Sequence, residues 1–187
     1  MAQGDVGIYA SQISGHLWAP NGAYDALATA TVGAGGATSI TFTGIPSGYK
    51  HLQIRALCQT NRATYPFDDV YVNINGDTTT ANYFNHGLHG DGASVTATNA
   101  NNSFGIQVTT PTAGVFTGII WDILDYSNTT KYKTSKFLNA ADVNGSGFVW
   151  FGSNLWKNTA AVNSITFYSQ WGTGWTQYTQ FALYGVK

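Results

Sequence analysis

The chain has 187 residues, enough for one large domain or two very small ones, and at that length folding hides roughly 70% of the extended chain's surface without help from disulfides. Charged side chains make up only 9%, with nine Asp, no Glu, six Lys and two Arg, and the formal net charge is −1. So few cations cannot line a groove, which excludes a sequence-independent nucleic-acid binder, and no apolar run approaches the roughly 18 residues of a membrane span. Thr, Val, Ile, Phe, Tyr and Trp together supply 73 residues while straight-chain helix formers are scarce. Bundles, coiled coils and nucleotide-binding α/β folds are therefore poor fits. Met1-Ala2-Gln3-Gly4-Asp5 has no basic start followed by an apolar stretch, so no cleavable signal peptide is expected. The single Cys58 cannot close an internal disulfide and is expected to be a buried structural thiol. A chain so close to neutral tends to associate, which suits an assembly component better than a free enzyme.

Residues 1–22 differ from the rest. Ile8, Ile13, Leu17 and Trp18, with His16 among them, carry no clear period, and Pro20-Asn21-Gly22 reads as a break. The segment is expected to be an extended arm docked on another surface, with the domain proper over residues 23–187. From residue 24 onward, period-two segments alternate with turn residues. Strands are expected at 24–32, 38–43, 51–59, 69–75, 83–88, 104–109, 115–126, 131–141, 147–151, 164–168 and 177–186. The stretch 90–103, mostly Gly, Ala, Asn, Ser and Thr, reads as a long exposed loop. Ile119, Ile120, Trp121, Ile123 and Leu124 put apolar groups on both faces of one strand, the pattern of a strand buried centrally. No helix and no repeat of 20–50 residues is evident. The architecture these features imply is an all-β, antiparallel two-sheet sandwich, of jelly-roll type, with an extended N-terminal arm.

Candidate chemistry is thin. His86, His89 and Asp91 are the nearest approach to a metal-ligand cluster, but positions i and i+3 of a strand face opposite sides, so a polar loop is the simpler reading. Asp68, Asp69 and Asp77 suit turns and caps. Asp122 and Asp125 would point apart on a strand, whereas a glycosidase needs two carboxylates across a cleft. There is no Gly-x-Ser-x-Gly elbow and no phosphate-cradling glycine loop. No catalytic, metal or cofactor site is expected, and hence no cofactor. Aromatic residues crowd the last 40 positions. Trp156, Trp171, Trp175 and Tyr178 are candidate carbohydrate or subunit contacts, since aromatic faces stack on sugar rings. The alternative packs Trp150 and Tyr168 in the core and uses Trp171 and Trp175 to pin the 172–174 turn.

Several segments in order resemble a known group. They are Ser39-Ile40-Thr41-Phe42-Thr43-Gly44-Ile45-Pro46-Ser47-Gly48-Tyr49-Lys50-His51-Leu52-Gln53-Ile54-Arg55, then Asn73-Ile74-Asn75-Gly76-Asp77 and Leu88-His89-Gly90-Asp91-Gly92. Asp122-Ile123-Leu124-Asp125-Tyr126-Ser127-Asn128-Thr129-Thr130-Lys131-Tyr132-Lys133 and the closing Phe181-Ala182-Leu183-Tyr184-Gly185-Val186-Lys187 follow, and Ala10-Ser11-Gln12 and Ser14-Gly15-His16-Leu17 add to them. Together these pieces resemble structural proteins of tailed-bacteriophage virions, including those of cyanophages, often labelled tail-fibre or decoration proteins. The resemblance implies a non-enzymatic virion part, assembled in the host cytoplasm, and carries no catalytic residues with it. The expected role is a capsid decoration or cement protein, anchored by its arm to the major capsid protein and forming a homo-oligomer, in the first instance a trimer. The alternative is a tail- or baseplate-associated module that binds a receptor or carbohydrate. A self-standing fibre would need a shaft, and the chain has no heptads to build one.

Overall fold

The computed structural model describes residues 22–63, 65–101, 104, 106–111, 114–143 and 145–187. The arm residues Ile8, Ile13, His16, Leu17 and Trp18 lie outside the described residues. Twelve strands are present among those described: β1 (Tyr24–Thr31), β2 (Ser39–Phe42), β3 (His51–Cys58), β4 (Phe67–Ile74), β5 (Tyr83–Gly90), β6 (Val95–Asn101), β7 (Ile106–Thr109), β8 (Thr117–Ile123), β9 (Lys133–Asp142), β10 (Gly147–Trp156), β11 (Ile165–Ser169) and β12 (Gln180–Val186). They form two antiparallel sheets packed as a β-sandwich. One has eight strands in the order β1-β12-β3-β8-β9-β10-β5-β6, and the other has four in the order β2-β11-β4-β7.

The pairing is nested. β1 pairs with β12, β2 with β11, β3 with β8 and β4 with β7, so the two ends of the chain zip together from the outside inward. Two strand pairs interrupt this scheme: β5–β6 between β4 and β7, and β9–β10 between β8 and β11. Both join the same edge of the large sheet, beyond β8, and widen it to twice the strand count of its partner.

Period-two alternation sets which side chains meet between the sheets. β4 turns Val70, Val72 and Ile74 inward, β3 turns Leu52, Ile54, Ala56 and Cys58 inward, and all are buried. Aromatic rings run through the centre as a continuous column: Tyr83–Phe104 at 5.0 Å, Phe104–Trp121 at 5.7 Å, Trp121–Phe167 at 5.8 Å, Phe167–Phe181 at 4.8 Å and Phe181–Trp175 at 5.1 Å. Most contacts are edge-to-face, the arrangement that the ring quadrupole favours. In the widened part, two facing glycines make room for rings to lie on the sheet. A Cβ on Gly87 would stand 2.2 Å from Trp150 Nε1, and one on Gly152 would stand 2.6 Å from the Phe137 ring.

Three expectations need correction. The stretch 90–103 is not an open loop throughout, because Val95–Asn101 forms β6 along β5, from Gly90↔Val95 to Phe84↔Asn101. Its sequence hides this, since an edge strand with weak packing on either face needs no apolar alternation. The strand expected at 147–151 continues to Trp156, carried by ladders on both sides. And β8 is not covered on both faces: Ile119, Trp121 and Ile123 are buried, but Ile120 is 43% exposed on the outer face.

Candidate functional site

Among the described residues no three His, Cys, Asp or Glu side chains converge as metal ligands. His86 and His89 sit on opposite faces of β5, and His89 stacks on Phe148 at 6.1 Å. Asp91 Oδ1 accepts hydrogen bonds from the backbone N–H groups of Ser94 (2.7 Å) and Ala93 (2.9 Å), which hold its carboxyl below the usual range. Asp122 accepts from Gln53 Nε2 at 2.8 Å, while Asp125 pairs with Lys131 in the following turn. Cys58 is fully buried, and burial pushes its thiol up. The buried Lys133 donates from Nζ to the carbonyls of Lys131 (2.9 Å) and Thr159 (3.0 Å), tying two loops together.

The four aromatic candidates divide. Trp156 and Trp175 are each only 1% exposed, and their indole N–H groups donate to Asp77 Oδ2 (2.8 Å) and to the Phe167 carbonyl (3.2 Å). As contacts for a sugar or a subunit they are withdrawn: Trp156 closes β10 and Trp175 bridges to Ala37 and Thr60, and both rings pack in the core. Trp171 and Tyr178 are 61% and 68% exposed.

Trp171 belongs to a rigid corner at the end of the small sheet. The buried Asp68 carboxylate accepts from the backbone N–H of Trp171 (3.1 Å) and of Gly172 (3.3 Å) and from Ser169 Oγ (2.5 Å). Asn61 Oδ1 accepts from Thr173 N–H at 2.8 Å and Gly174 N–H at 3.0 Å. The Arg62 guanidinium lies 4.7 Å from the Tyr65 ring and 5.7 Å from the Trp171 ring, within cation–π range of both. Burial pushes the neighbouring Asp69 carboxyl up, against an opposing hydrogen bond from Trp171. The adjoining outer face of the small sheet is polar. Thr41, Thr166 and Asn73 are register partners, as are Ser39, Tyr168 and Tyr71. Tyr168 donates to Asn73 Oδ1 at 3.1 Å and Gln170 Nε2 donates to the Tyr71 hydroxyl at 3.0 Å. Beside the two tyrosines a cleft of about 140 Å³ is lined by Tyr71, Asn73, Thr78, Thr80 and Tyr168.

The outer face of the large sheet is the reverse. One register row runs Arg55–Ile120–Leu138–Phe151–Leu88–Ala97 across six strands. The next row runs Leu57–Gly118–Ala140–Val149–Gly90–Val95. Their large apolar members, Leu57, Leu88, Val95, Ile120, Leu138, Val149 and Phe151, are between 43% and 75% exposed. A polar row, Gln53–Asp122–Lys136–Ser153–His86–Asn99, flanks them on one side. At the other side a groove of about 530 Å³ opens among Gly90, Phe116, Ala140, Phe148 and Val149. Single exposed apolar residues are ordinary; here seven lie on adjacent register positions and form a contiguous patch. The signal for it lay in adjacent apolar pairs, Ile119-Ile120, Phe137-Leu138 and Phe148-Val149, which serve both faces of their strands.

No protein-family model, curated protein or solved structure matches the chain.

Proposed function

We propose that this chain is a non-enzymatic structural protein of a tailed-phage virion, displayed on the particle exterior as a capsid decoration or cement protein. The observation that carries the reading is the pair of apolar rows on the outer face of the large sheet, a surface suited to another protein rather than to a small substrate. The ordered resemblance of its segments to virion proteins supports the same assignment. In this reading the body is a jelly roll, as the nested pairing of β1 with β12, β2 with β11, β3 with β8 and β4 with β7 suggests. Residues 1–22 anchor it to the major capsid protein through Ile8, Ile13, Leu17 and Trp18, each contributing about 1.5–3 kcal/mol if buried. Imaging of particles tests the location: density for this chain on capsomers supports the reading, and its absence there overturns it. Deleting residues 1–22 should leave a folded domain that no longer decorates particles.

A second reading, a tail-associated carbohydrate-binding module, is favoured by one feature. The turn that carries the largely exposed Trp171 ring is fixed by the buried Asp68 carboxylate through the Trp171 backbone N–H, which gives a pre-positioned aromatic face for stacking on a sugar ring. Binding of this protein to host-surface polysaccharide, lost on Trp171→Ala, would favour that reading.

A further inference from the structure

We propose that the outer face of the large sheet, centred on Ile120, Leu138, Phe151 and Leu88, is where a second copy of this chain packs. The inference rests on the reading of the chain as an assembly component and names the partner of that surface.

Two observations argue that a protein surface covers this face, and two that the surface is a copy. Along the two apolar rows, β8, β9 and β10 carry apolar residues on the outer face as well as the inner, yet among the described residues only the inner face is covered. A second sheet laid on the outer face would complete the pattern, as sheets stack about 10 Å apart with their side chains interdigitated. The size also fits. With the flanking polar row, the patch spans six strands about 4.8 Å apart and three rows about 6.6 Å apart, roughly 29 by 20 Å or about 600 Å², the share each partner gives at the lower end of specific interfaces.

Charge permits self-association. The charged residues on the ladder of this face are Arg55, Lys136, Asp122 and Asp142, two of each sign, so two copies meet without net repulsion. Arg55 is already engaged, lying 5.6 Å from the Tyr24 ring and 5.7 Å from the Tyr184 ring, with Nε donating to Gln53 at 2.7 Å. Finally, the apolar rows form one continuous patch. A ring of three would need two different complementary patches, whereas a single patch that meets itself makes a two-fold pair. The geometry therefore favours a pair over the trimer expected from the sequence.

The test is light scattering on the full chain from sub-micromolar to tens of micromolar concentration, for wild type, Phe151→Asp, Leu138→Asp and, as a control on the other face, Thr166→Asp. Circular dichroism establishes which variants fold, and two separate face variants guard against one failing to do so. Pairing should appear in wild type and in Thr166→Asp, and should weaken by roughly 100-fold or more in either face variant, as expected when a charge is buried in an apolar interface centre. A wild type that stays monomeric at tens of micromolar overturns the proposal, and leaves the face to residues 1–22 or to a capsid protein. An oligomer that the face variants do not disturb overturns it equally. Neither result bears on whether the chain is a virion protein, which imaging of particles decides separately.

Discussion

On the small sheet the outward positions of β2, β11 and β4 carry Ser39, Thr41, Asn73, Thr166 and two tyrosines whose hydroxyls are hydrogen-bonded to neighbours. On the large sheet the equivalent outward positions of β8, β9, β10 and β5 carry Ile120, Leu138, Phe151 and Leu88. Both faces belong to the same antiparallel sandwich and obey the same alternation, so secondary structure does not distinguish them. What differs is the partner each is chemically prepared to meet. The first has its polar groups satisfied locally and is stable in water, with one rigid aromatic corner at its end. The second exposes two adjacent apolar rows beside a single polar one, a breadth of apolar surface that monomeric proteins seldom show.

That contrast presumes a shared, well-packed interior, and the largest effect should come from disturbing it. Trp121 stands in the middle of the aromatic column and is fully buried. Trp121→Ala should cost about 3–5 kcal/mol in urea unfolding; a loss below about 1 kcal/mol would mean that the two faces are not mounted on one core. Next is the corner that holds Trp171. Asp68→Ala leaves the Trp171 N–H and the Ser169 hydroxyl without their buried acceptor, and Gly172 N–H with Ser169 Oγ alone, and should cost about 1.5–3 kcal/mol. Amide exchange at residues 171–174 should rise with it, and unchanged exchange there would contradict the pinning role.

Much of this was legible from residue patterns, and the omissions have physical reasons. β2, β3, β4 and β11 were evident because one face is covered by core and the other by water, so apolar and polar residues alternate cleanly. β6 was not, because an edge strand needs only one ladder and little side-chain packing. The apolar outer face was misread for a related reason: alternation failed in β8, and a failure of alternation looks the same whether the second face is covered within the chain or by a neighbour. Trp156 and Trp175 show a further limit. Sequence proximity to Trp171 suggested a shared platform, but the direction of each ring depends on strand register, which composition does not contain.

A smaller effect should separate structural carboxylates from the faces altogether. Burial alone would raise the Asp77 carboxyl, but hydrogen bonds from Trp156, Asn82 and Thr79 outweigh it and hold the group below its ordinary value of 3.8. A carboxylate whose folded value is depressed stabilises the fold above its unfolded value, and that stabilisation is lost as pH falls through the folded value. Asp77→Asn should therefore cost about 1–2 kcal/mol at pH 7. The gap from wild type should close as pH drops below 3.8, and a gap independent of pH would contradict the assignment. Smallest of all should be changes to the exposed rings in dilute protein. Phe151→Ser should cost about 1 kcal/mol or less, and Trp171→Ala about 0.5 kcal/mol. Larger losses in thermal melts would mean that these rings serve the fold rather than a partner.

The most direct measurement is hydroxyl-radical footprinting of the intact protein, read by mass spectrometry, in dilute and in concentrated solution. Oxidation of Leu88, Leu138 and Phe151 should fall as concentration rises, while oxidation of Trp171 and Tyr65 stays constant. Equal oxidation of Leu88, Leu138 and Phe151 at both concentrations, or protection that appears at Trp171 instead, would contradict pairing through this face.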